Sequence, residues 1–225
     1  MDDQRSGFTY PAESSFGRSR VEISTAQLLG QVMFLVAVAL GFAVLGTFLG
    51  RELEVGAARI CSFAGFGMLL VSSFGGERFR VGPLAMGWLF ATALLIGLGL
   101  GPVIGYFAEV DPAPLTQAAG ATALVVAGTG SLGFALSKDL KSWMRPLSFL
   151  VFGLVIVSLL LMLAGGGGNP LISIAIGAVS ALLIVVDFNY LRKHGTEDDA
   201  VMLATGIFVS IVNIFLALLN IFGNR

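Results

Sequence analysis

The chain has a single cysteine, Cys61, and a single histidine, His194. One cysteine rules out an intramolecular disulfide framework and any cysteine-cluster metal site. One histidine leaves no multi-histidine site, since a metal centre wants several ligands at set spacings. Charge is scarce as well: 12% of the 225 residues are Asp, Glu, Lys or Arg, about half of what a soluble domain carries, roughly 25%. With a net charge of −1 there is no basic field to attract nucleic acid. No H-E-x-x-H and no G-x-S-x-G occurs. Without a metal cluster or a nucleophile–base pair, an enzyme is not expected. Residues 1–26 lack a basic stretch followed by a short apolar core, so no cleavable signal is expected there. They read as a short disordered cytosolic tail, rich in Ser, Gly, Arg and Asp.

What the chain does have is apolar length. It is 56% hydrophobic, with a mean hydropathy of +0.91. Crossing a bilayer takes about 20 apolar residues in a helix. Seven runs qualify: 28–49, 56–74, 83–107, 115–136, 147–164, 171–191 and 200–222. None alternates with period two, which argues against a β-barrel. Backbone polar groups in lipid must bond internally, which leaves a helical bundle. The expected fold is all-α, with residues 27–225 forming one seven-helix transmembrane domain.

The breaks are punctuated as helix ends should be. Gly, Pro and charge fill 50–56, 75–83 and 108–114; 137–146 is basic; 165–170 ("GGGGNP") is uncharged and flexible in character. In "KHGTEDD" (193–199), Gly195 is a helix stop and Thr196-x-x-Asp199 a capping box for the last helix. Ten of the 13 Lys and Arg fall on one side of the predicted topology: Arg5, Arg18, Arg20, Arg78, Arg80, Lys138, Lys141, Arg145, Arg192 and Lys193. Arg51, Arg59 and Arg225 fall on the other. The positive-inside rule then places the N-terminus inside and the C-terminus outside. Short loops and no organelle-targeting stretch point to a bacterial inner membrane.

Several motifs read most simply as structure. "GTGSLG" (128–133) matches a dinucleotide fingerprint, but it lies inside an apolar helix with no preceding strand. Close helix packing through small residues explains it better, and "GLGLGPVIG" (97–105) likewise, with Pro102 a candidate kink. His194 is expected in a solvated turn. Glu197, Asp198 and Asp199 suit the N-terminal dipole of the last helix and lack the alternating oxygen ligands of an EF-hand.

Asp187 is different. It is an acid inside a predicted span, and such burial costs about 2.5–3.5 kcal/mol on insertion scales. The bland account is a pairing with Arg192, or access to water near the helix end; the functional account is an ion or proton site.

Asp187-Phe188-Asn189, then "GTEDD" (195–199), then "IFVSIVNIFLALLNIFG" (207–223) resemble the C-terminal signature of the Bax inhibitor-1 (TMBIM) membrane family. That signature runs Tyr-Asp-x-x, a short acidic turn, then Leu-Tyr-Leu-Asp-Ile-Ile-Asn-Leu-Phe. "PLTQAAGATALVVAGTGSLGFALSKDLKSW" (114–143) is similar to the family's fourth helix and its Lys-Asp-Leu turn, and "GLGLGPVIGYF" (97–107) to the end of its third. The likeness is carried by residues 80–223.

The resemblance implies six helices arranged around a central C-terminal one, and a pH-sensitive calcium leak. It implies two aspartates on the last two helices that share a proton and bind calcium, and a basic residue near the cytosolic end of the second helix that acts as a latch. Asp187 matches the first aspartate. Aligning Asn213 with the family's asparagine puts Ser210 at the second. Like charges make a carboxylate dyad titrate as a unit, and serine supplies no charge, so Asp187 with Ser210 is expected to be a weak calcium site. Arg78 or Arg80 would supply the latch. No resident cofactor is expected; calcium or protons would be cargo. In some bacterial relatives the implied role is restraint of a membrane quality-control protease. A non-transporting regulator or scaffold with a membrane partner is therefore the second expectation. Spacing adds a difficulty. If the last turn centres on Gly195, Asp187 and Ser210 differ in level by roughly 10 Å at 1.5 Å per residue.

Overall fold

The computed structural model describes residues 24–163 and 169–224. Among these, seven helices are long and apolar enough to cross a membrane: α1 Thr25–Leu49, α2 Val55–Phe74, α3 Pro83–Val110, α4 Pro112–Ala135, α5 Lys141–Leu163, α6 Pro170–His194 and α7 Ala200–Gly223. No strand occurs among the described residues. The expected tail over 1–26 lies almost wholly outside them, as do four of the residues of the "GGGGNP" connection.

Helix starts follow local chemistry. Ser24 caps α1 by accepting from the Gln27 N–H at 3.2 Å. Proline at the first helical position opens α3, α4 and α6, where its missing N–H costs nothing. Asp111 and Asn169 cap α4 and α6 from just outside. α3 runs unbroken through Pro102. α5 and α6 extend beyond their apolar runs, because a helix does not stop where its residues become charged: Lys141–Arg145 and Arg192–His194 are helical.

The tightest seam joins α1 and α3, and it is made by glycines. A Cβ on Gly97 would overlap Ala43, one on Gly101 would lie against Gly50, and one on Gly46 would meet the Leu94 carbonyl. Backbone contact of this kind is how membrane helices gain packing energy without a hydrophobic drive. Gly133 sits equally close to the Val185 carbonyl, and Gly130 faces the Phe188 ring at 3.4 Å. The "GTGSLG" stretch is therefore an α4–α6 packing surface.

α7 is the hub. It packs against α6, α4, α1 and, more lightly, α3. α2 packs chiefly on α3 and α5 on α6, and these two outer helices meet through the stacked rings of Phe66 and Phe152, 5.2 Å apart. The main core is drawn from α1, α3, α6 and α7, with Phe208, Ile207, Leu203 and Ile184 at its centre.

Candidate functional site at the α6–α7 interface

Six polar or charged residues are buried among those described: Thr92, Thr122, Ser180, Asp187, Asn189 and Ser210. Their hydrogen bonds divide them sharply. Thr92 and Thr122 donate to carbonyls one turn back, Trp88 at 2.8 Å and Ala118 at 2.6 Å. Asn189, 0% exposed, is saturated. Its Oδ1 accepts from the Leu140 N–H at 2.9 Å. Its Nδ2 lies 3.1 Å from the carbonyls of Leu136 and Lys138 and 3.3 Å from that of Gly133. Ser180, Asp187 and Ser210 make no hydrogen bond or ion pair with any described residue, though they are only 0%, 6% and 2% exposed. An unmade bond to a buried polar group costs about 1–3 kcal/mol. All three lie where α6 meets α7.

Two contacts fix the antiparallel register there. Asp187 lies over Gly206, whose Cβ, if present, would be 3.2 Å from Oδ2; Gly177 lies opposite Ala217, 3.0 Å from an added Cβ. Asp187 is thus level with Gly206. Ser210, one turn further on, is level with Leu183, about 6 Å along the axis at 1.5 Å per residue. The turn is uneven, which reduces the expected offset. α6 ends at His194, and Thr196–Asp199 is taken up by a capped 3₁₀ turn before α7 begins at Ala200. The Thr196 N–H and hydroxyl both reach Asp199 Oδ2, at 3.0 and 2.8 Å. The same register sets Asn213, half-buried, level with Ser180.

The basic residues do not neutralise Asp187. Arg192 donates from Nη2 to the Leu136 carbonyl at 2.6 Å. Lys193 reaches the Ser137 carbonyl. His194 is the last residue of α6 rather than part of a free turn, and its Nε2 is 2.6 Å from Asp139 Oδ2. With Asn189 these three fasten the α4–α5 loop, residues 136–140, to α6. Asp139 also accepts from the Lys141 N–H at 2.9 Å. That bond first, then the His194 contact, holds its carboxyl below the usual carboxylate value. Arg80 caps the end of α2 through the carbonyls of Ser73 (2.6 Å) and Ser72 (3.5 Å), and Arg78 is exposed. Neither is an ion-pair partner of Asp187.

No group of three His, Cys, Asp or Glu placed to hold a metal ion occurs among the described residues. A groove of about 270 Å³ between α4, α6 and α7 is lined by Val125, Ile174, Gly177, Ala217 and other apolar residues. It offers an ion no ligand. Ser180, Gly206 and Asn189 are the residues that sequence reasoning passed over as site components. The signal for Ser180 was available, since it lies seven residues, two helical turns, before Asp187 on the same face.

Seven apolar helices, four of them packed against the C-terminal one, with an unpaired acid buried between the last two, define an integral membrane protein of the helical-bundle class. The chain belongs to the family described as inhibitor of apoptosis-promoting Bax1 (Bax1-I), whose model matches residues 25–225, the first two helices included. It is 31% identical over 142 residues to an uncharacterized membrane protein of Vibrio cholerae. Over the same length it is 30% identical to an uncharacterized protein of Pseudomonas aeruginosa. These alignments cover 60% of this chain and 62% and 61% of those proteins.

Proposed function

We propose that this protein is a pH-sensitive cation leak, for calcium or coupled to protons, with its path at the α6–α7 interface around Asp187. The observation that carries the reading is the Asp187 carboxylate itself, buried inside a span and bonded to nothing among the described residues. A charge that stabilises no packing is a poor structural element and a good ion contact. One carboxylate with neutral oxygens binds calcium loosely, which suits passage, since an ion must leave as readily as it enters. Ser210 in place of a second aspartate alters the gating: a neutral oxygen replaces a group that could share the proton. Arg80 already serves α2, so a latch falls to Arg78. The reading includes a bacterial inner membrane, an inside N-terminus, an outside C-terminus, no resident cofactor and no enzymatic step.

The test is calcium flux into liposomes as a function of pH. Wild type should exceed empty vesicles and Asp187→Asn should not; equal flux in all three removes the leak. Ser210→Asp should raise calcium affinity by restoring a second carboxylate, and an unchanged binding isotherm would mean that position 210 does not share an ion with Asp187.

The missing carboxylate at 210 also favours a second reading, a non-transporting regulator that binds a membrane quality-control protease or another membrane partner. Crosslinking in native membranes separates the two. A stoichiometric partner retained by Asp187→Asn, without flux, supports the regulator.

A further inference from the structure

Ser180, Asp187 and Ser210, buried polar residues without protein partners among those described, are not scattered; two further buried atoms without a partner, Asn220 Oδ1 and Arg192 Nε, lie on the same two helices. Ser180 is two turns from Asp187 on α6, and Ser210 stands between them in level on α7. Asn213 faces the Ser180 level, and it too makes no side-chain hydrogen bond to a described residue. The hydroxyls of Thr92, Thr122, Thr129, Ser148 and Thr205 donate to their own helix one turn back. Ser180 could do the same and does not; its Oγ is buried with no partner among the described residues. Left dry, such a group costs about 1–3 kcal/mol, a cost that a polar neighbour other than protein removes.

The geometry points to a hydrated seam along α6 and α7, with Ser180 and Asn213 forming a second, neutral oxygen station for a hydrated cation, about 10 Å from Asp187 at 1.5 Å per residue. This deepens the leak reading and rests on it for the identity of the ion. The chemistry fits a hard cation: a carboxylate, two hydroxyls and the oxygen of a carboxamide are hard oxygen ligands. Each water between the stations would find two or more polar partners, as a buried water requires. Glycine at 206 brings the α7 backbone close to the carboxylate, a Cβ there lying 3.2 Å from Oδ2, and no described cationic side chain forms an ion pair with Asp187.

The test reads hydration directly, so it does not depend on calcium transport. In a Cys61→Ser background, cysteine is placed at 180, at 213 and, as a lipid-facing control, at 182, where Leu182 is 53% exposed. The full chain in liposomes is treated with a cationic and an anionic methanethiosulfonate. Thiolate forms only where water reaches, so cysteines at 180 and 213 should react about tenfold or more faster than at 182, and faster with the cationic reagent. If Ser180→Cys does not fold, Asn213→Cys gives the same reading from α7. Rates at 180 and 213 no greater than at 182 overturn the seam, even if wild type leaks calcium. Fast cation-selective labelling upholds it, and without any calcium flux it is the calcium-leak reading alone that fails.

Discussion

Asp187 and Asn189 are two residues apart on one helix, both buried, and their hydrogen-bond accounts are opposite. Asn189 satisfies its oxygen and its amide with four contacts to the α4–α5 loop and the end of α4. Asp187 has none among the described residues. Successive odd positions of a helix point about 200° apart, so the two look at different neighbours. Asn189 looks at a loop with free backbone groups, and Asp187 at a helix, whose backbone is already spent on itself. The difference separates a polar group kept for architecture from one kept for work.

Removing the amide should have the largest effect. Asn189→Leu removes the side-chain partner of the Leu140 N–H and of the Gly133 and Lys138 carbonyls, and leaves the Leu136 carbonyl with Arg192 alone. A loss on the order of 3 kcal/mol is expected, read as a lower unfolding midpoint in detergent. Asp187→Asn should go the other way, leaving stability unchanged or raised by about 1 kcal/mol, while abolishing flux. A destabilised Asp187→Asn would erase the contrast. Gly206→Ala is intermediate in purpose and smaller in cost. The new methyl would sit 3.2 Å from Oδ2, costing about 1 kcal/mol or less, and should change flux several-fold with little change in melting.

Smallest of all is the acid response of the loop that Asn189 holds. Asp139 is depressed in the folded protein, so its contribution is present above its ordinary value of 3.8 and is lost as pH falls through its lower folded value. Hydrogen exchange at residues 137–140 should therefore quicken only in strong acid. Asp139→Asn should flatten that dependence and leave the midpoint nearly unchanged, because the exposed pair adds little to what the buried amide supplies.

The helices were legible because lipid imposes one solution on a long apolar run. Their ends were less so: hydropathy marks where α6 leaves the hydrocarbon, while the helix continues to His194. Gly195 was legible as a stop, but for a different reason. Its backbone is extended, with φ −63 and ψ 135, and what requires glycine is room, since a Cβ would come within 2.5 Å of Leu28 Cδ2 and 2.6 Å of the Leu191 carbonyl. Asp187 could be singled out by charge alone. Its level could not, because that depended on how many residues the Thr196–Asp199 turn consumed. Arg192 illustrates the same limit. Its charge nominated it as a partner for Asp187, and only three-dimensional placement shows it bonded to Leu136.

The fastening of α6 to residues 136–140 also bears on how the chain is built. Synthesis proceeds from the N-terminus, so that loop already exists when Asn189 and Arg192 emerge, and α6 has ready acceptors at its last turns. α7 comes afterwards, and its seam with α6 contains the polar side chains that find no such acceptors. The interface that carries the unpaired acid is therefore the last to be assembled.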